Sequence, residues 1–460
     1  MIRSSIIDEI IKIRDCVSGS MLIKAKRGLY LPHPSMIDTT SKEQIARYDA
    51  YLAGAEFDDI PAQTLRTLIG QVGAADAEIE MPSELSYLAE DADGDGMSLA
   101  GLMELSAANA LQVKWHVLVA EYISPAAGST LAEAERSRPR AVIRHYARET
   151  VGEWEYRRID GRMQLCKLQL NEQNDDGDLR VVTIGLNEAG EYYQQVDDEE
   201  PSVVYVGGSP LKWMPVEFIS DEEFPAGKLP EGMGYLSGVC DLTLARYRAF
   251  ADYKEAMRCL PPTTHVKGVS SHDWEMFKEI NGRSYVATGA GAVNVWPSAE
   301  TSVDVIGTGQ TLEAYERYFE ANEKRIRAVG GVFPSDSETQ KTATESEIAS
   351  ANQLARLLPV LASLESGIRR IIVYCGMFEG LWGQEKIEEN LKNVTITLPR
   401  AFANRRLTPQ EVKEHRENML AGAISRDEFV RILSAGGWTV SDSSEMETDG
   451  PDLLPVEYGV

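Results

Sequence analysis

Apolar residues in the first 130 positions recur mostly at the three- and four-residue spacing that is typical of amphipathic helices. One such pattern extends from Ser41 to about Leu68 and predicts a helical segment. Ser98 is a candidate N-cap for a further helix that ends near Leu111, because its side chain can accept a backbone N–H of the first turn. The run Trp115–Ile123 is instead short, apolar and rich in β-branched and aromatic residues, which favours a strand.

The pattern changes to that of strands between residues 138 and 220. Five strand-like segments stand between turn signals, at 141–146, 154–159, 163–170, 181–186 and 203–206. The turn signals include Asp160-Gly161 and the stretch from Asn174 to Gly177. The sequence therefore predicts a β-rich module within a mainly helical chain, which is an α+β fold.

Helical spacing returns in the second half of the chain, where two helices flank a small insert. The first helix is predicted over 235–260, and Pro261-Pro262 would end it. The second is predicted over 309–329, with glutamates early and cations late, an order that suits the helix dipole. Short hydrophobic and Gly-rich pieces fill the insert at 261–308.

A Gly-rich break and a long helix follow this pair. Gly330-Gly331 must end the preceding helix, and the longest helix of the chain is predicted over 343–382. Pro359 lies well inside that helix and is expected to kink it, because proline removes one backbone donor and clashes with the previous turn. The pattern ends with a strand at 393–398 and two short helices that have N-cap signals at Thr408 and Ser425.

The charge balance of the chain is unusual for a globular protein. Its 460 residues include 46 Lys plus Arg against 72 Asp plus Glu, a formal net charge of −26 at pH 7. Because binding to phosphates requires clustered cations, we do not expect such a chain to bind nucleic acid over its general surface. No stretch of about 18 uncharged apolar residues occurs, so no transmembrane helix and no membrane partner are predicted.

The sharpest local motif is Asp91-Ala-Asp93-Gly-Asp95-Gly. Alternate oxygen ligands followed by a glycine turn are typical of a calcium loop. The twelfth position of such a loop requires a bidentate acid, but Leu102 occupies it here. Two interpretations stay open, an acidic turn before the next helix and a calcium-binding loop, and we assign no metal.

The motifs of common catalytic sites do not occur in the sequence. It contains no Gly-x-x-x-x-Gly-Lys-Ser/Thr, no Gly-x-Ser-x-Gly and no His-Glu-x-x-His. The histidines and cysteines are scattered and predict no cluster and no disulfide framework: His33, His116, His145, His265, His272 and His415; Cys16, Cys166, Cys240, Cys259 and Cys375. We expect no cofactor and no enzymatic activity. The alternatives are a soluble metal-binding adaptor and an enzyme with an unrecognised site.

The order of these elements, together with several motifs, resembles the portal proteins of tailed bacteriophages, and in particular a portal-like family of phage proteins. The motifs are Tyr30-Leu-Pro32, Asp93-Gly-Asp-Gly-Met-Ser-Leu99, Pro215-Val-Glu-Phe218, the segment 236–253, Lys341-Thr-Ala-Thr-Glu345 and Gly422-Ala-Ile-Ser425. The resemblance covers roughly residues 25–440. Another kind of phage structural protein is the alternative.

The resemblance implies a mainly helical portal fold with wing, stem, clip and crown regions. The wing would comprise residues 1–234, helical over 1–130 and β-rich over 138–220, together with the long kinked helix and strand at 343–400. The remaining regions would be stem helices at 235–260 and 309–329, the clip at 261–308, a tunnel loop at 330–342 and the crown at 401–440. The tail at 441–460 carries six acids and no base, so its composition predicts a flexible segment, and it departs from the pattern of many portals.

The resemblance also implies a ring of typically about twelve subunits at one capsid vertex, through which DNA is packaged and ejected. Its tunnel loop would line the channel with Gly330, Gly331, Val332, Phe333, Pro334, Ser335 and Lys341. Lys324, Arg325 and Arg327 are candidate DNA-facing cations, with dipole complementation as the alternative. The implied partners are further copies of the chain, double-stranded DNA, the terminase large subunit, capsid proteins, and head-completion or tail-adaptor proteins. The implied location is the virion, and the host cytoplasm during assembly.

Overall fold

The computed structural model describes residues 4–33, 41–73, 76–123, 139–159, 161–173, 177–223, 228–259, 263–287, 293–306, 312–332, 343–399, 409–420 and 429. These residues form helices and antiparallel sheets, which confirms the predicted α+β class. The chain divides into two compact units: Met1–Ile7, Arg66–Tyr235 and Gln340–Val460 form the first, and Asp8–Leu65 and Leu236–Thr339 the second. Residues 8–65, which the resemblance assigns to the wing, therefore share a unit with the segments that it assigns to the stem and clip.

The helices of the described residues are α1 (Ser4–Ser18), α2 (Ser20–Ala25), α3 (Lys42–Gly54), α4 (Ile60–Val72), α5 (Leu99–Val113), α6 (Leu236–Cys259), α7 (Ser271–Asn281), α8 (Glu313–Ala328), α9 (Ala343–Phe378), α10 (Ile387–Asn390) and α11 (Pro409–Leu420). Short 3-10 helices cover Arg27–Leu29, Ser83–Ala89, Arg148–Thr150 and Leu391–Asn393. The predicted cap of α5 is confirmed, because the Ser98 hydroxyl accepts the Gly101 N–H at 3.1 Å.

The single helical segment predicted from Ser41 to about Leu68 is wrong. The structure has two helices there, with extended backbone at Ala55 after α3 and a new start at Ile60. Pro61 explains the break, since proline has no N–H to donate and fits only the first turn of a helix.

The predicted long helix is confirmed as α9, although it ends four residues earlier than expected. Gly380 follows its end with φ of +77°, and the Leu381 N–H donates to the Gly376 carbonyl at 2.9 Å. This left-handed closure is typical of a Schellman motif. Pro359 lies inside α9, as predicted.

The strands are β1 (Glu78–Glu80), β2 (Trp115–Ile123), β3 (Arg140–Ala147), β4 (Val151–Ile159), β5 (Arg162–Gln173), β6 (Leu179–Leu186), β7 (Tyr192–Val196), β8 (Ser202–Val203), β9 (Tyr205–Val206), β10 (Ser209–Pro210), β11 (Val216–Ser220), β12 (Thr263–Lys267), β13 (Ser302–Ile306) and β14 (Thr395–Thr397). The strand expected at 203–206 is divided, because β8 pairs with β7 whereas β9 pairs with β10. The sequence prediction missed β1, β7, β10, β11, β12 and β13.

The core of the first unit lies between a three-stranded sheet and two helices. The sheet has the order β11–β2–β3, and α9 and α5 pack on it. Residues 115–120 of β2 are buried without interruption, because this central strand is covered on both faces. A second sheet, β4–β5–β6–β7–β8, is an antiparallel meander whose Leu168–Ile184 and Leu170–Val182 pairs are buried.

In the second unit, α6 packs against both α3 and α8. Six apolar residues have the spacing of one face of α6: Leu236, Val239, Cys240, Leu244 and Tyr247 are buried, and Phe250 is half-buried. Four of the five cysteines are buried and free: Cys16, Cys166, Cys240 and Cys375. Several predicted features lie outside the described residues: the side chain of Cys259, Pro261-Pro262, residues 401–408 and 421–428, and the tail at 441–460.

Candidate functional site

The candidate site is the helix pair α6 and α8 with the insert between them and the corner after α8. Aromatic side chains fill the contact between the helices. The ring of Phe319 on α8 lies with its centroid 5.9 Å from that of Phe250 and 5.6 Å from that of Tyr253 on α6. Tyr315 meets Tyr253 at 5.8 Å. These separations lie in the range of favourable edge-to-face and tilted ring pairs, so the two helices are held side by side.

A polar contact also joins the two helices. The Asn322 amide on α8 donates to the Leu242 carbonyl on α6 at 3.2 Å, and the Asn322 side chain is almost fully buried. The Arg246 guanidinium lies 5.2 Å from the Phe319 ring centroid and pairs with Asp58 at 2.6 Å. The Asn322 amide nitrogen meets the Leu242 carbonyl in this register of the two helices, so this hydrogen bond favours their alignment, whereas Asn322 Oδ1 is buried with no partner among the described residues.

The insert between the two helices is a small ordered module. Strands β12 and β13 pair antiparallel: Thr263 lies opposite Ile306 at one end, and Lys267 lies opposite Ser302 at the other. Helix α7, which the sequence prediction missed, begins with a capping box formed by Ser270 and Asp273. The only side chain of the module that is fully buried among the described residues is Phe277, which stacks against Trp274 at 5.2 Å and Trp296 at 4.3 Å.

Apolar side chains are exposed on the same module. Among the residues of the module that the structure describes, six large ones are exposed by 38–71%: Met276, Ile280, Tyr285, Val293, Val295 and Val303. Exposed apolar residues that occur singly need no explanation, but several within one small module are typical of an interaction surface.

The corner after α8 is a Schellman motif. Gly330 has φ of +87°, its N–H donates to the Arg327 carbonyl at 2.9 Å, and the Gly331 N–H donates to the Ile326 carbonyl at 2.8 Å. The predicted helix break is thus confirmed, and only glycine adopts the Gly330 conformation without strain. Both glycines are buried, and the Val332 N–H donates to the Thr64 hydroxyl of α4 at 2.9 Å.

The candidate DNA-facing cations differ in their surroundings. Lys324 and Arg325 are exposed on α8. Arg327 is half-buried and pairs with Glu323 at 2.9 Å, one helical turn earlier. Of the predicted tunnel-loop residues, Gly330, Gly331 and Val332 lie at the corner, whereas Phe333, Pro334, Ser335 and Lys341 lie outside the described residues.

The acidic motif forms a compact turn whose carboxylates have internal partners. Asp91 Oδ1 accepts the Gly94 and Gly96 N–H groups at 2.9 and 3.0 Å. Asp93 Oδ1 accepts the Asp95 and Met97 N–H groups at 2.8 and 3.0 Å. Hydrogen bonds of this kind are what an acidic turn requires. Within the described ranges, no three side chains of the His, Cys, Asp and Glu types are grouped as a metal ion would need.

Two arginines of β3 pair with the same turn. Arg140 contacts the second oxygen of Asp91, and Arg144 pairs with Asp95 at 2.7 Å. Burial by itself would raise the pKa of Asp91, but the hydrogen bond from Gly96 and the ion pair with Arg140 outweigh it and lower that pKa. The charged form of Asp91 is therefore the one that the turn holds.

The prediction that the histidines do not cluster is wrong for one pair. His116 and His145 lie on the paired strands β2 and β3, with ring centroids 5.6 Å apart. His116 Nδ1 lies 3.0 Å from the Ser106 hydroxyl, and burial lowers the pKa of His145. Sequence distance did not reveal the pair, because strand pairing brings together residues that are 29 positions apart.

An acid that the sequence analysis did not single out is Glu217 on β11, whose side chain is 14% exposed. The Tyr374 hydroxyl of α9 donates to Glu217 Oε1 at 2.7 Å, and Arg370 lies 3.9 Å from Glu217 Oε2. Burial raises the pKa of Glu217 to about 7, against the opposing effects of Arg370 and Tyr374. The carboxyl is therefore half-protonated near neutral pH.

This raised pKa predicts a pH-dependent stability. Because the pKa of Glu217 is higher in the folded than in the unfolded chain, its stabilising contribution is complete below pH 4.5 and is lost as the pH rises through 7. Between pH 5 and 8, the free energy of unfolding of Glu217→Gln should fall by about 2–3 kcal/mol less than that of the wild type. Urea unfolding of both proteins across this range measures the difference. Parallel pH profiles would contradict the prediction.

Solved structures similar to this chain include chains of gene transfer agent particles and a phage portal protein. A chain in the virion of the native gene transfer agent (GTA) particle has a TM-score of 0.44 at 12% identity, with 90% of this chain and 99% of that chain covered. A chain in the neck of the empty GTA particle, computed with C6 symmetry, has a TM-score of 0.45 at 13% identity, with coverages of 86% and 94%. An HK97-family phage portal protein from Corynebacterium diphtheriae has a TM-score of 0.28 at 10% identity, with coverages of 79% and 96%.

These neighbours include a protein of the class that the sequence resemblance names. No protein-family model matches the chain, and no curated protein matches it. Among the described helices, none combines the length and the apolar character needed to cross a lipid bilayer.

Sequence reasoning did not find Thr64 at the corner. Its partner Val332 is 268 positions away, and a threonine inside an amphipathic helix carries no signal of such a contact. The residues next to Thr64 in α4 fit the helical pattern and do not predict a contact with Val332.

Proposed function

We propose that this chain is a portal protein of a tailed bacteriophage, which assembles into a ring at one capsid vertex. The observation that carries the proposal is the side-by-side packing of α6 and α8, with the small module of α7, β12 and β13 between them in the chain. The sequence resemblance implies two stem helices joined by a clip in this order. The Gly330-Gly331 corner and the long helix α9, which contains Pro359, come after them in the order along the chain that the resemblance implies.

The charge of the chain suits a channel through which DNA slides. With −26 per chain, a ring of twelve would carry about −310. A channel lined with acidic side chains repels the phosphate backbone, so the duplex is not held by general binding. Exposed Lys324 and Arg325 near the corner would give sparse cationic contacts to the passing duplex.

The exposed apolar side chains of the insert support a docking role for that module. Under the proposal, the insert is the clip, which binds the terminase large subunit during packaging and head-completion or tail-adaptor proteins afterwards. An interface core of apolar and aromatic side chains is typical of such contacts, and Tyr285 and Val293 are its most exposed members.

The proposal includes a location and the absence of chemistry in this chain. The protein would assemble with capsid proteins in the host cytoplasm and remain in the virion, where its channel serves packaging and ejection. The work of moving DNA would come from the terminase ATPase, so this chain is proposed to be no enzyme. The calcium-adaptor alternative has no specific observation in its favour, since the carboxylates of Asp91 and Asp93 accept backbone N–H groups.

The assembly state tests the proposal directly. We expect the purified chain to form particles of roughly 600 kDa, about twelve times the 50.8 kDa chain mass. Mass photometry measures this mass, and negative-stain images of the same sample should show rings with an axial hole. A chain that stays monomeric over a wide range of concentrations would contradict the portal function.

A further inference from the structure

The corner residues after α8, up to Val332, are held by contacts within the second unit. Gly331 packs closely against two buried isoleucines: a Cβ at this position would stand 2.4 Å from Ile326 Cγ2 and 3.4 Å from Ile60 Cγ2. The first distance is shorter than any real Cβ contact, so the backbone of Gly331 occupies space that no side chain can share. The corner is thus seated on α4 as well as on α8.

One hydrogen bond then holds the residue that follows. The Val332 N–H donates to Thr64 Oγ1 at 2.9 Å, while the same hydroxyl donates to the Ile60 carbonyl at 2.7 Å. Thr64 is fully buried. Because a hydroxyl has one proton and two lone pairs, this geometry uses Thr64 as donor within α4 and as acceptor for Val332.

We propose that Thr64 is the positioning residue for the base of the tunnel loop. It ties Val332 to α4 and so sets the position and direction from which the chain leaves the corner after α8. Gly330 and Gly331 end α8, and Thr64 then fixes the backbone at Val332. The functional part of this inference rests on the proposed portal function, whereas the structural part does not.

Hydrogen exchange in the full-length assembly tests the structural part. Thr64→Val keeps the shape of the side chain and removes the acceptor, and Thr64→Ser is the matched control that keeps it. We expect the Val332 amide to exchange roughly five- to tenfold faster in Thr64→Val and to stay within about twofold of the wild type in Thr64→Ser. Equal protection in Thr64→Val and wild type, or fast exchange at Val332 in the wild type itself, would overturn the anchor.

DNA filling of particles tests the functional part. We expect particles assembled with Thr64→Val to contain a full genome severalfold less often than wild-type particles, although rings of normal mass still form. Thr64→Ser should restore filling. If Val332 loses protection but filling is unchanged, Thr64 has no role in positioning the loop for DNA. If the wild-type chain forms no ring, the portal function and the loop role fail together, while the exchange result still judges the anchor.

Discussion

Replacing Arg148 with methionine is expected to lower the free energy of unfolding by about 3–5 kcal/mol. Arg148 is 2% exposed and lies between β3 and β4. Its guanidinium donates to the carbonyls of Val113, Glu231 and Gly232. Methionine fills a similar volume but offers no donor, so those buried carbonyls lose partners that water cannot replace.

The charge of Arg148 is buried, so its stability depends on the three carbonyls that accept its hydrogen bonds. Burial lowers the pKa of Arg148 to about 10, because the charged form is costly away from water. The Trp115 ring, with its centroid 5.2 Å from the guanidinium, offsets part of that cost. Through its hydrogen bonds to Glu231 and Gly232, the Arg148 cation holds the segment 228–235, which directly precedes α6.

Urea unfolding of Arg148→Met against Arg317→Met measures this effect. The Arg317 side chain is 79% exposed and pairs with Glu313 within its own helix, so its replacement should change stability by less than about 0.5 kcal/mol. Arg148→Lys keeps the charge but places its three N–H donors on one nitrogen instead of a planar fork, so its loss should fall between the two. A loss below about 1 kcal/mol in Arg148→Met would show that the three carbonyls find other partners.

Replacing Gly234 with alanine is expected to cost about 3–4 kcal/mol or to prevent folding of the first unit. A Cβ at this position would lie 2.4 Å from the Leu111 carbonyl oxygen and 2.6 Å from the Gln112 carbonyl carbon. These neighbours are backbone atoms at the end of α5, so they cannot move aside as a flexible side chain would. The cost is steric and does not depend on pH.

Gly238, four residues later, is the matched control for Gly234. It lies in α6, and a Cβ there would meet nothing within 4 Å. Gly238→Ala should therefore be neutral or stabilising by up to about 1 kcal/mol, since alanine favours a helix. Thermal unfolding of both variants measures the difference, and similar melting temperatures would contradict the clash. Because Gly234 and Arg148 hold the same segment, the double variant should lose less than the sum of the single losses.

Elements with strong local signals were predicted well. Helix α5 begins at the predicted N-cap Ser98, and α8 ends at the predicted Gly330-Gly331 break. Both signals act through backbone groups within one turn, so neither needs the rest of the chain. The uninterrupted apolar run of β2 was read correctly for the same reason, because a fully buried strand needs no alternation.

Some of the errors fall where a distant contact decides, whereas α7 was missed although it begins with the local capping box of Ser270 and Asp273. Strand β1 has only three residues and exists through its pairing with β14, more than 300 positions away. The pair of His116 and His145 likewise depends on the register of β2 with β3. In the range from Ser41 to Leu68, by contrast, the signal was present in Pro61 and was outweighed by the apolar spacing.

The sequence by itself determined the alternation of helical and strand-rich regions, the order of the two helices, insert, corner and long helix, and the strongly acidic charge. These properties follow from spacing, capping residues and composition, each of which acts locally or adds over the chain. Only the tertiary structure decided that α6 and α8 lie side by side, that Arg148 binds three carbonyls, and that Thr64 holds Val332. Such contacts join positions far apart in the chain, and a hydrogen-bond donor carries no mark in sequence of the acceptor that folding brings to it.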